Sequence, residues 1–211
     1  MDIKVRETAR YLGYKNQLPD EQTLTQIKTL MFELEQVCSP RYICKEVPIS
    51  IQNNTINFDF FSVESKNLAK NLKNCEKAIF FAATLGTEAD FLIRRYSKTS
   101  MTKSVIINSC ASALIEEFAN ISQKQIASTL NNEYLRPRFS PGYGDFELKH
   151  QKDIINLLNT SKKIGLTLTD SLILMPIKSI TAVMGISHTQ DNCLIEGCEV
   201  CTKKDCQFRR N

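Results

Sequence analysis

After Pro19, apolar residues recur at helical spacing. Leu24, Ile27, Leu30, Met31, Leu34 and Val37 form one face, and Asp20 stands where a helix N-cap belongs. Pro40 and Pro48 break that pattern. Ile49-Ser50-Ile51 and residues 55–60 then alternate apolar with polar positions around Asn53-Asn54. This predicts a β-hairpin, because Asn tolerates the positive φ of a tight turn. Ser65 caps a short helix carrying Leu68, Ala69 and Leu72, and residues 78–83 read as a buried strand. Gly86 opens a helix with Ala89, Leu92, Ile93 and Tyr96, and Ser100 starts a long one reaching about Leu130, with Glu116 and Glu117 near its middle. Two prolines and a glycine keep residues 134–143 extended. The chain is helical again from Leu148 to Leu158, and Gly165 stops it after Lys162-Lys163. Residues 166–186 are strand-like, with Pro176 marking a bend or an edge. The alternation of helix and strand argues for a mixed α/β or α+β fold. The simplest division is one compact unit over residues 1–190 and a cysteine-rich tail over residues 191–211.

Composition narrows the class. The chain has 211 residues, 42% hydrophobic and 24% charged, which excludes a disordered or fibrous protein. The net charge is +4, and much of the excess sits in the tail at Lys203, Lys204, Arg209 and Arg210. No basic stripe runs through the rest, so nucleic acid is a poor candidate partner. The longest apolar run, residues 78–85, is far short of the roughly 20 residues of a membrane helix. The N-terminus carries charge and no apolar segment of a secretory signal. A cytoplasmic location is expected, where the 8 cysteines would stay reduced.

Candidate chemistry lies in two places. The first is Arg138-Phe139-Ser140-Pro141-Gly142-Tyr143. Pro141 fixes φ and Gly142 has no side chain to obstruct a ligand. Arg138 offers a planar fork for a carboxylate, and Tyr143 a ring and a hydroxyl. Taken alone, the hexapeptide reads as a turn with an exposed Arg and a half-buried Tyr. Glu116 lies one turn after Ser112 beside the apolar Leu114-Ile115, so a half-buried carboxylate there would need a partner.

Downstream come Ile164-Gly165-Leu166-Thr167-Leu168-Thr169-Asp170-Ser171 and Met175-Pro176-Ile177-Lys178-Ser179. Upstream stands Leu114-Ile115-Glu116-Glu117-Phe118-Ala119, and nearer the N-terminus Arg10-Tyr11-Leu12-Gly13-Tyr14 and Ala83-Thr84-Leu85-Gly86. In order and spacing these resemble the activation domain of cobalamin-dependent methionine synthase, in a small stand-alone clostridial-type form. The resemblance implies an α+β fold with a mixed, mainly antiparallel sheet and several helices. It implies binding of S-adenosylmethionine and a role in reductive remethylation of cobalamin (vitamin B12), as an accessory component of a methyltransferase in methionine biosynthesis. By position, Arg138 would pair with the ligand's carboxylate, Pro141, Gly142 and Tyr143 would lie against the ligand, and Glu116 would meet its ammonium or ribose hydroxyls. The family's second acid falls on Asn132 here, and Glu133 stands next to it. No D-x-H-x-x-G element of a cobalamin ligand is present, so the cofactor would belong to a separate cobalamin-binding methionine synthase chain. A flavodoxin or ferredoxin-type electron donor would complete the system. Arg136, at an unmarked position, would share Arg138's face in an extended segment.

The second place is Cys193-x4-Cys198-x2-Cys201-x4-Cys206, four thiols within 14 residues that can wrap one metal. Neighbouring Lys and Arg favour thiolates. The first three have the spacing of plant-type ferredoxins, but the fourth follows too soon, so zinc and an iron–sulfur cluster both stay open. The rival reading is therefore a metal or iron–sulfur redox adaptor acting through the tail. Cys75 and Cys110 read as core residues on helices, and His188 as a solvated loop residue. Among the rest of the chain, no Ser-His-Asp arrangement or phosphate-cradling glycine loop is visible.

Overall fold

A computed structural model describes residues 3–14 and 17–190. Its elements run α1 (Ile3–Tyr11), α2 (Glu21–Val37), β1 (Arg41–Gln52), β2 (Thr55–Phe58), β3 (Phe61–Glu64), α3 (Lys66–Asn71), β4 (Cys75–Thr84), α4 (Thr87–Thr99) and α5 (Met101–Ala127). β5 (Tyr134–Leu135), a 3-10 turn (Leu148–His150), α6 (Gln151–Leu158), α7 (Thr160–Ile164), β6 (Thr167–Leu168), β7 (Leu174–Met175) and β8 (Ser179–Ser187) follow.

Six strands form one sheet in the order β3-β2-β1-β4-β8-β5, and the strand pairings are antiparallel. This is the expected α+β class. β4 lies in the middle and its side chains alternate between two cores. Ile79, Phe81 and Ala83 face α1, α2, α4 and α5, whereas Ala78, Phe80 and Ala82 face α3, α6 and α7. A strand covered on both faces is apolar throughout, which is why residues 78–83 show no alternation.

The local signals work as the pattern suggests. Asp20 accepts from the Thr23 N–H at 2.8 Å, and Ser65 from Leu68 at 3.0 Å. Asn53 adopts φ 57° between β1 and β2. Gly165, at φ 70°, ends α7. The helical pattern ends at Val37, before Pro40 and Pro48, as expected. Pro48 lies within β1, at the point where that strand stops pairing with β4 (Pro48↔Lys77) and starts pairing with β2 (Ile49↔Phe58). A strand changing partners tolerates a missing N–H there. Other expectations are refined or corrected. Residues 166–186 are strand-like and bend at Pro176 as expected, but they split into three strands: β6 and β7 form a separate hairpin, and β8 follows the cis Met175-Pro176 bond. α5 ends at Ala127, short of Leu130. Cys75 is buried as expected, but at the start of β4 rather than on a helix. α1 has a pattern too short to be read from the sequence. Among the described residues no helix is long and apolar enough to cross a membrane.

Candidate functional site

α5 supplies one wall of the site. Ser112, Glu116, Asn120 and Gln123 recur at intervals of three or four residues, so they lie along one stripe of the helix. Buried apolar residues of α5, among them Ile107, Ala111 and Ile115, hold the opposite side in the core. The adjacent acids of the sequence diverge. Glu117 turns to Lys4 of α1 (3.5 Å), while Glu116 stays on the stripe.

Opposite α5 runs the segment after β5. The Arg136 N–H donates to Gly185 O at 2.8 Å, and Phe139 exchanges two 2.9 Å bonds with Val183, so the chain is zipped along the outer side of β8. Arg138 lies between these anchors and reaches α5. Its Nη1 donates to Gln123 Oε1 (2.6 Å), and its Nη2 to Asn120 Oδ1 (2.7 Å) and to Glu116 Oε2 (3.4 Å). Two neutral amides and one carboxylate thus orient a guanidinium that is 16% exposed. Tyr11 of α1 also belongs here. Burial, and secondarily the charge of Glu116, push its hydroxyl pKa up.

Beyond Arg138 the chain turns sharply. Gly142 adopts φ 92°, and its N–H donates to Phe146 O at 2.7 Å. Pro141 is buried and Tyr143 is 68% exposed, so the turn presents a ring at the rim. Asp145 ties this turn to α3. Its carboxylate accepts from Ser65 Oγ (2.5 Å), Lys66 N (2.8 Å) and Asn67 N (3.1 Å). The Ser65 hydrogen bond, helped by the two backbone bonds, holds that carboxyl below its ordinary value.

Of the sequence candidates, Glu116 and Arg138 meet directly, and Pro141, Gly142 and Tyr143 continue from Arg138. Glu133 stands apart. It precedes β5 and lies 3.9 Å from His188, beside Ser187, whereas Phe139 pairs with Val183. Four residues of strand separate the two places, about 13 Å. Arg136 does not share Arg138's face. It is buried among Leu72, Cys75 and Gly185, and its Nη2 donates to Lys73 O (3.2 Å) and Ser187 Oγ (3.3 Å). The pairing shifts by one residue between Leu135↔Ile186 and Phe139↔Val183, and this irregularity puts the two side chains on opposite sides of the sheet edge.

Asn120, Gln123 and Asp145 were not singled out from the sequence. The four-residue spacing 112, 116, 120 was the available signal for the stripe, but polar residues on a helix usually mark a solvated face. His150 serves packing. Its Nδ1 lies 2.8 Å from Asp153, and its ring stacks on Phe61 and Phe146. The four tail cysteines, Cys193, Cys198, Cys201 and Cys206, lie outside the described residues. Among the described residues no group of three or more His, Cys, Asp or Glu is placed to hold a metal ion.

The model of the vitamin B12-dependent methionine synthase activation domain matches residues 58–195, which is most of the chain and includes both walls of this site. The chain belongs to that family. Among solved structures, the activation domain described here is similar to one reported as the crystal structure of the MetH reactivation domain bound to AdoHcy. The TM-score is 0.63 and the identity 17%, over 88% of this chain and 76% of that one. At that identity the likeness is one of fold. No curated protein matches the chain.

Proposed function

We propose that this activation domain binds S-adenosylmethionine between α5 and the 138–143 segment, and serves reductive remethylation of cobalamin held by a separate methionine synthase chain in the cytoplasm. The observation that carries this is the convergence of Arg138 with Glu116, Asn120 and Gln123 beside the Pro141-Gly142-Tyr143 turn. The donor set fits the ligand: a guanidinium fork for its carboxylate, a carboxylate for its ammonium or ribose hydroxyls, and an exposed ring at the rim. Bound S-adenosylmethionine would supply its methyl group to the reduced cobalamin of the partner and leave as S-adenosylhomocysteine. This chain's residues orient the donor. Arg138 fixes one end, Glu116 balances the positive charge, and Gly142 lets backbone approach. An external donor of flavodoxin or ferredoxin type would supply the electron that cobalamin needs. Isothermal titration with S-adenosylmethionine tests the reading: saturable binding is expected, and absence of heat at about 1 mM ligand counts against it.

A second reading rests on the four-cysteine tail. It assigns a zinc or iron–sulfur site to Cys193, Cys198, Cys201 and Cys206, with the cluster form passing an electron to the cobalt. Metal and sulfide analysis of anaerobically purified protein tests this. Brown protein with iron and sulfide supports a redox adaptor, zinc alone supports a structural site, and metal-free protein removes both.

A further inference from the structure

A cavity opens between α4, α5 and the bend before β8, and it meets α5 at Asn108, about two turns before Glu116. It encloses about 220 Å³ and is lined by Asp90, Ile93, Arg94, Asn108, Ile177 and Lys178, with Ser97 at its edge. Drug-sized ligands occupy roughly 300–1,000 Å³, so this space suits something smaller.

Two charged side chains face it with hydrogen-bonding capacity to spare. Asp90 Oδ2 accepts from the Ile177 N–H at 2.8 Å and keeps lone-pair capacity for a second donor, whereas Oδ1 is shielded from solvent and closed to the cavity. The Lys178 ammonium donates to Ser112 Oγ at 2.9 Å and to no other described group, though it can donate three times. Burial pushes the Lys178 pKa down, and the charge of Asp90 opposes that shift. The two charges therefore feel each other across the cavity without forming an ion pair. Arg94 adds a second cation, and it is exposed.

An inorganic anion would satisfy Lys178 and Arg94 but meet repulsion from Asp90. A simple amine would satisfy Asp90 but face two cations. A group with an ammonium beside a carboxylate satisfies both, and Ile93 and Ile177 give an apolar wall for what it carries.

We infer that this cavity is a binding site for a small α-amino acid zwitterion with an apolar side chain, its ammonium on Asp90 and its carboxylate on Lys178 and Arg94. The inference does not depend on S-adenosylmethionine binding at Arg138.

Titration of the full chain with L-norleucine tests it. Saturable binding is expected at or below about 10 mM. Norleucinamide, which lacks the carboxylate, and N-acetylnorleucine, which lacks the ammonium, each bind about tenfold more weakly or not at all, since each loses a charge-assisted hydrogen bond. Asp90→Asn, which keeps an acceptor for Ile177, and Lys178→Met lower norleucine affinity by a similar factor. Should either variant fail to fold, the two analogues decide the matter on the unaltered protein. Saturating S-adenosylmethionine leaves the norleucine affinity unchanged. Absence of saturable norleucine binding, equal binding of the analogues, or competition with S-adenosylmethionine overturns the second site.

Discussion

At the scale of single residues, Arg138 carries most of the proposed recognition. Its fork is already aimed by Gln123 and Asn120, so a ligand carboxylate meets a preorganised group. Removing one partner of a desolvated charge pair costs about 2–5 kcal/mol. Arg138→Ala is therefore expected to weaken S-adenosylmethionine binding by roughly 30-fold or more in isothermal titration. Arg138→Lys should recover only part of this, because an ammonium cannot make two parallel hydrogen bonds. Arg136 is no control for local charge, since its side chain is buried and bonded to Lys73 and Ser187. Lys124, exposed on α5 beside Gln123, serves instead. Lys124→Ala should leave affinity nearly unchanged; equal losses at both positions would reduce Arg138 to a contributor of general charge.

At the scale of elements, Asp145 joins the 141–146 turn to the start of α3. Its folded-state pKa is depressed, with the Ser65 hydroxyl the leading cause. An Asp free in the unfolded chain titrates near 3.9. The unfolded state therefore takes up this proton first as pH falls, and the stabilisation present at neutral pH fades through the folded value. Urea midpoints measured from about pH 5 to about pH 3 should fall more steeply for the unaltered protein than for Asp145→Asn. Parallel slopes would mean that the clamp contributes nothing to stability. The clamp itself was not legible in the sequence. Ser65 announces a cap, but its partner stands 80 residues away, and no local pattern links the two.

At the scale of the whole molecule, both cores are complete within residues 5–186 of the described chain. A chain ending at residue 190 should keep a single cooperative thermal transition, followed by circular dichroism. Cys198→Ser and Cys201→Ser in the full chain should lose any bound metal while keeping that transition. Loss of cooperativity on truncation would show that the tail completes the fold.

What the sequence determined by itself was whatever depends on neighbours along the chain. The caps at Asp20, Ser65 and Ser100, the Asn53 turn, the stop at Gly165 and the all-apolar run of β4 follow from steric and hydrogen-bonding preferences acting over a few residues. The order of motifs from Glu116 to Ser179 likewise pointed to the family before any fold was drawn. Tertiary structure decided what depends on partners far apart. Pro48 stays in β1 because β4 and β2 share that strand between them. Glu133 falls away from Glu116 because register along β8 sets it about 13 Å from Arg138's anchor. Arg136 and Arg138 separate because the pairing with β8 slips by one residue between Leu135↔Ile186 and Phe139↔Val183, which breaks the alternation. Asp90 and Lys178 face one cavity because α4 and the bend before β8 pack together. Packing and register are collective properties, and no window of sequence contains them.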